Sequence, residues 1–229
     1  MTYGLIAANA IVFVGELVYT KGFDSCLTSQ LFYSYGLVPY GLLNNAQLSF
    51  QCTFPQPQLL GLYNPPAAYF TLLSSMFLHA NFLHIFGNMI FLFVFGPNIE
   101  VRFGRVKYLG AYLACGVAGA VATVAVALWT GANLVVPEIG ASAAISGVLA
   151  AYLVLLPRSK IISIIGYFII PISAFWFIGG WFLLQVLYQL GGIDTGVAYV
   201  AHIGGFALGL VLGLLVRETR GVQRSEYEL

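Results

Sequence analysis

Residues 140–156 read GASAAISGVLAAYLVLL, seventeen positions without a charge and dense in small side chains. Such a run has no polar face to offer water, so it belongs inside a larger protein or inside a bilayer. The flanking sequence decides between the two. Further apolar stretches occur at 4–20, 80–99, 108–130, 168–190 and 197–216, and most are close to the length that crosses a hydrocarbon core. Over all 229 residues the chain is 60% hydrophobic and only 7% charged, against about a quarter charged in ordinary soluble domains. Too little polar surface remains to cover a globule in water. A net charge of +1, without a lysine or arginine cluster, excludes a nucleic-acid partner as well. The expected fold is an all-α membrane protein, a six-helix bundle forming one domain over 1–229, whose surroundings are the lipid bilayer.

Charge placement orients the bundle. Of the nine basic residues, Lys21 falls in the first long connection, whereas Arg102, Arg105, Lys107, Arg158, Lys160, Arg217, Arg220 and Arg224 all fall on the opposite side. The positive-inside rule then puts both termini in the cytoplasm and predicts a multi-pass protein of the cell membrane. The first stretch lacks a basic leader, so it reads as a retained span rather than a signal peptide. Glu16, near its end, is expected to reach interfacial water. The outer side receives a long aromatic-rich loop over 21–79 with Pro39, Pro55, Pro57, Pro65 and Pro66, expected to rest on the membrane. Cys26 and Cys52 share that loop, and a disulfide and a pair of free thiols are equally ordinary readings. Cys115 reads as a small core hydrophobe. No internal repeat of the transporter kind is visible.

Polar side chains inside spans are costly and point to function. His84 and Asn88 stand four residues apart, hence on one helical face, with Gly87 beside them. Ser142 opens the fourth stretch. His202 stands in Ala201-His202-Ile203-Gly204-Gly205. At 1.5 Å per residue His202 lies about 9 Å below Gly196, Ser142 somewhat under 8 Å below Pro137 and Asn88 about 10 Å below Asn81. All enter from the outer side and share one layer. Gly205, Gly209 and Gly213 on one span, and Ala143, Gly147 and Ala151 on another, form stripes that allow close helix approach. Facing stripes would bring Ser142 to His202, the minimum for an activated nucleophile, with His84 and Asn88 as donors to an oxyanion.

No carboxylate is spaced to stand behind His202. Asp194 and Glu138 sit in outer connections, so the imidazole would be oriented by packing or by an aromatic neighbour. Taken singly, each residue has a bland reading: Ser142 as helix-packing glue, His202 as an interhelical donor, His84 and Asn88 as a structural bridge. Ser146 reads as packing, His79 as a structural loop residue, and Glu100 with Arg102 as a cap and ion pair before the Gly104 turn. Metal chemistry and cofactors are not expected, because no H-E-x-x-H occurs and no carboxylate shares the layer.

These motifs in this order resemble the rhomboid family of intramembrane serine proteases. The resemblance runs from His79-Ala80-Asn81-Phe82-Leu83-His84 and Asn88, through Gly96-Pro97-Asn98-Ile99-Glu100-Val101-Arg102-Phe103-Gly104 and Gly140-Ala141-Ser142, to Ala201-His202-Ile203-Gly204-Gly205. It implies Ser142 as nucleophile, His202 as general base, and an oxyanion site at His84, Asn88 and the Ser142 amide. It also implies transmembrane proteins as substrates. Substrate helices would enter beside the fifth span with Phe175, Trp176, Phe177, Trp181 and Phe182, and a cap would form near 191–200. Two departures from the family pattern stand out. Ala143 replaces a glycine and is expected to reduce room beside the nucleophile, and Phe70-Thr71 replaces a Trp-Arg pair that ties down the outer loop. Two rival readings remain: a catalytically inactive rhomboid-like protein that binds membrane clients, and a channel or carrier lined by His84, Asn88 and His202. Client binding without turnover would mark the first, and flux that survives Ser142→Ala the second.

Overall fold

The computed structural model describes residues 1–44, 47–51, 58–63, 68–165, 167–192 and 196–226. Helix α1 spans Thr2–Tyr19. The connection after α1 then folds into α2 (Ser25–Tyr35), α3 (Pro39–Asn44), an antiparallel pair β1 (Gln47–Gln51) and β2 (Gln58–Tyr63), and the short α4 (Thr71–Ser74). The long helices α5 (Phe82–Phe103) and α6 (Arg105–Thr130) follow, then α7 (Ser142–Leu155). A hairpin of β3 (Lys160–Ile165) and β4 (Phe168–Ser173) leads to α8 (Ala174–Leu190) and α9 (Tyr199–Glu226). The protein is mostly helical. Among the described residues, α1, α5, α6 and α9 are long and apolar enough to cross a membrane, while α7 and α8 are shorter.

Helix boundaries follow local chemistry. Asn81 caps α5 by accepting the His84 N–H at 2.9 Å, and Asp24 caps α2 through the Cys26 and Leu27 amides. Gly104, at φ +77°, turns the chain between α5 and α6. The expected span at 168–190 begins later than its hydropathy suggests. Residues 168–173 pair with 160–165 as a hairpin, because a run of β-branched isoleucines with Pro171 favours strand over helix.

The core is built around α7, ten of whose fourteen residues are buried. Fourteen residues rise about 21 Å, short of the ~30 Å hydrocarbon thickness. A helix this apolar on every side needs neighbours all round, and α5, α6, α8 and α9 supply them. The small-residue stripes do face each other. A Cβ at Gly205 would fall on the Ala143 carbonyl, and one at Gly209 on the Gly147 carbonyl. No other residue permits that approach.

Glu16 departs from expectation. It is only 3% exposed and accepts the His79 N–H, at 3.1 and 3.3 Å to its two oxygens, instead of reaching water. It thus ties the end of α1 to the turn before α5. Glu100 is a cap and ion-pair partner, and the helix it caps is α1: it accepts from the Met1 amino group at 2.6 Å and from the Thr2 N–H and hydroxyl at 2.8 Å, with Arg105 Nε 3.9 Å away. It closes the first turn of α1, where unpaired N–H groups favour a carboxylate. The connection between α1 and α5, with Phe70-Thr71 in place of a Trp-Arg pair, is held in other ways. Ser74 donates to the Tyr35 carbonyl at 2.6 Å, Leu37 and Glu138 exchange two backbone hydrogen bonds, and the Gly140 N–H reaches the Ser75 carbonyl. Cys26 is disulfide-bonded and Cys115 is a buried free thiol; Cys52, the other cysteine of that connection, lies outside the described residues.

Candidate active site

Ser142 is the first residue of α7, where a backbone N–H has no helical carbonyl to reach. Gly140, two residues earlier, has φ +119°, a conformation that side chains rarely adopt. A Cβ there would stand 2.7 Å from His84 Nε2 and 3.7 Å from Ser142 Oγ. The imidazole of His84 and the serine hydroxyl thus flank the same backbone position. Ser146, one turn on, donates back to the Ser142 carbonyl at 2.7 Å and is buried.

His202 lies in the first turn of α9. Its Nε2 is 2.7 Å from Ser142 Oγ, and its Nδ1 is 2.7 Å from Gln185 Oε1 on α8. An amide oxygen can only accept, so Nδ1 carries the proton and Nε2 offers its lone pair to the serine O–H. Three helices therefore converge on one hydrogen-bonded line, from Gln185 through His202 to Ser142. Trp181 covers the imidazole, with ring centroids 5.9 Å apart and planes at 32°. Packing and an aromatic neighbour were the expected orienting groups; the amide of Gln185 is an addition. Its signal was visible, since Gln185 is the only amide or charged residue between Ala174 and Tyr188. Without helix geometry nothing aimed it at His202.

His84 and Asn88 come from one face of α5. The Ala80 N–H approaches His84 Nδ1 at 3.4 Å, which leaves Nε2 as the ring's donor, on the side of Gly140. Asn88 is buried and its Nδ2 has no protein partner. A buried donor without an acceptor is unusual enough to ask what it serves. Ser142, His202, His84, Asn88 and Trp181 all line one cavity of about 710 Å³. Gly196, Val197 and Ala198 line it as well; residues 193–195 of the expected cap lie outside the described residues.

His79 stays out of the cavity lining. It is fully buried, donates from Nδ1 to the Phe77 carbonyl at 3.1 Å, and stacks edge-on to His84 at 5.1 Å. Burial, with the neighbouring His84 adding to it, pushes its pKa down to about 4. His79 is therefore a neutral wall behind His84. Glu138 borders the cavity, and burial raises its carboxyl to about 7, against a smaller opposing pull from the Thr123 hydroxyl. Asp194 lies outside the described residues.

Ala143 directs its methyl away from the cavity. It is buried against α6, where a Cβ at Gly119 would stand only 2.7 Å from it. The expected loss of room beside the nucleophile is not found; the extra methyl occupies space that Gly119 leaves. Among the described residues no group of three or more His, Cys, Asp or Glu could hold a metal ion.

A chain of apolar helices with this order of motifs is an integral, multi-pass membrane protein. A Rhomboid domain model matches residues 66–219, and the protein belongs to the rhomboid family. It is similar to Rhomboid protein 1, mitochondrial, of Saccharomyces cerevisiae, 28% identical over 68% of this chain and 44% of that one. RHOMBOID-like protein 4 of Arabidopsis thaliana is 31% identical over 66% of this chain and 35% of its own. Rhomboid protease AarA of Providencia stuartii is 28% identical over 61% and 53%. The chain thus spans between about a third and a half of the length of these relatives.

Proposed function

We propose that the protein is an intramembrane serine endopeptidase that cleaves transmembrane segments of other proteins. The observation that carries this reading is the 2.7 Å contact between Ser142 Oγ and His202 Nε2 at the wall of an open cavity. Ser142 Oγ attacks the scissile carbonyl while its proton passes to His202 Nε2. Gln185 keeps the accepting nitrogen turned to the serine, and its Oε1 accepts the hydrogen bond donated by Nδ1–H of the imidazolium that forms. The oxyanion is met by the Ser142 N–H, His84 Nε2–H and Asn88 Nδ2–H. Nε2 then protonates the leaving amine, and a cavity water hydrolyses the acyl-enzyme by the reverse proton path. The carboxylate that usually stands behind a catalytic histidine is replaced here by a neutral amide.

In this reading residues 1–229 form one rhomboid domain that crosses the bilayer six times. The four long helices are joined by the shorter α7 and α8, with both termini on the cytoplasmic side of a cell membrane and the cavity open outward. The short α7 suits that arrangement, since starting below the surface sinks Ser142 while leaving room for water above it. Substrate helices would enter beside α8, where Phe175 and Trp176 are exposed and Phe177 and Trp181 lean on Phe91. Helices weakened near their outer end by small residues are the preferred substrates, because the peptide must unwind to reach the serine; a stable polyleucine span cut at the same rate would contradict this. The outward position of the Ala143 methyl favours the catalytic reading over the inactive client-binding one.

The test is reconstitution in liposomes with a tagged single-span reporter carrying such a segment. Cleavage that is lost in both Ser142→Ala and His202→Ala, together with fluorophosphonate labelling mapped to Ser142, is the expected result. Reporter binding without turnover or labelling by folded protein would overturn the assignment in favour of the client-binding reading.

A further inference from the structure

The β3–β4 hairpin, between α7 and α8, has two unlike faces. Ladder pairing sets Ile161 opposite Ile172 and Ser163 opposite Ile170 on one face, and Ile162 opposite Pro171 on the other. Ile161 and Ser163 are buried toward the helices with Ile172 half-buried and only Ile170, at 42%, open on that face, whereas Ile162 is 76% and Ile169 71% exposed, and Pro171 is exposed too. Phe168 and the turn residue Tyr167 are also open. The base of the hairpin is fixed: the Ala174 N–H binds the Ser159 carbonyl at 2.8 Å and the Phe175 N–H the Pro157 carbonyl at 3.0 Å. An apolar sheet face held rigidly in the open is not left to water without reason. Beside it Arg158 and Lys160 are exposed, and no Asp or Glu occurs between Glu138 and Asp194.

We propose that this hairpin is a lipid-binding surface: Ile162, Ile169 and Pro171 lie on the acyl-chain boundary of the inner leaflet, and Arg158 and Lys160 hold anionic phospholipid headgroups. The proposal rests on the six-crossing arrangement, which puts the end of α7 and the start of α8 at one membrane surface. Apolar area and basic charge are the two attractions that fix an element in the interface, and the hairpin carries both. Its position gives it a consequence for the site. It joins the helix that carries Ser142 to the helix that carries Gln185 and Trp181, so the leaflet holds the inner ends of both.

The test uses the full chain with Cys115→Ala and a nitroxide at Ile162→Cys or Ile169→Cys, in phosphatidylcholine vesicles with and without phosphatidylglycerol. Collisions with oxygen and with a water-soluble nickel complex report depth. We expect protection from nickel that grows with phosphatidylglycerol and weakens about fivefold for each charge removed in Arg158→Gln and Lys160→Gln. Nickel access equal to an aqueous site overturns the proposal, and protection indifferent to phosphatidylglycerol overturns its headgroup component. Spin–spin broadening between labelled copies would assign the face to a second copy instead. A label at Ile90→Cys, exposed on the middle of α5, separates the premises. If that site also meets nickel, the six-crossing arrangement has failed rather than the hairpin.

Discussion

Replacing Gln185 by leucine tests the hydrogen-bonded line at its hidden end. The substitution keeps an apolar side chain of similar reach but removes the acceptor 2.7 Å from His202 Nδ1. The ring then has a buried N–H without a partner, or flips its proton to Nε2 and confronts Ser142 with a donor. Leaving a buried donor unpaired costs about 1–3 kcal/mol. At 1.36 kcal/mol per decade this lowers kcat by about 5- to 150-fold. Gln185→Glu retains an accepting oxygen and should recover most of the loss. The assay is reporter cleavage at saturating substrate, with the rate of fluorophosphonate labelling of Ser142 as a readout independent of substrate docking. Thermal unfolding run in parallel should show the leucine variant folded, since a buried amide has been exchanged for an apolar group. Leucine and glutamate variants that both label at the parental rate would refute the argument, because the imidazole would then be held by packing and Trp181 alone.

Asn88→Ala should lower kcat by about 10²–10³ while leaving thermal stability nearly unchanged, since its Nδ2 makes no bond to protein; a large drop in melting temperature would reveal a structural role instead. Glu138 gives a pH signature. Its folded pKa near 7 lies above the ordinary 4.5, so its contribution is whole below about pH 4.5 and is lost as pH rises through 7. The difference in unfolding stability between the parent and Glu138→Gln, measured from pH 5 to 8.5, should show that decline, because His79 and the other titrating groups cancel in the difference. Gly209→Ala drives a methyl into the Gly147 carbonyl and should destabilise by about 1–3 kcal/mol, whereas Gly179→Ala, with open space around it, should not. Equal melting temperatures for the two would contradict the packing described.

The parts legible in the sequence were those written in periodic or compositional terms. Apolar runs located the long helices, four-residue spacing put His84 and Asn88 on one face, and glycine stripes announced the α7–α9 contact. What escaped depended on contacts between distant segments. Glu16 carries no mark that a backbone amide 63 residues away will take its carboxylate. Gln185 is a single polar residue in an apolar run, and only the rotation of α8 about its axis aims it at Nδ1. Hydropathy merges the second strand of the hairpin, 168–173, with the helix that follows, because it counts isoleucine alike in strand and helix. Ala143 hides its effect for a related reason: a missing glycine is visible in sequence, but the direction of the added methyl is not.

That methyl also shows which of two neighbouring positions is free to vary. A Cβ at Gly119 would stand 2.7 Å from the Ala143 methyl and 2.6 Å from the Ala201 carbonyl oxygen. Returning Ala143 to glycine relieves the first contact and leaves the second, which is backbone and cannot swing aside. Gly119→Ala is therefore harmful whether 143 is alanine or glycine. Position 143 can gain or lose its methyl inside the space that Gly119 leaves, whereas position 119 is held to glycine by the backbone of α9, so the dependence between the two sites runs in one direction.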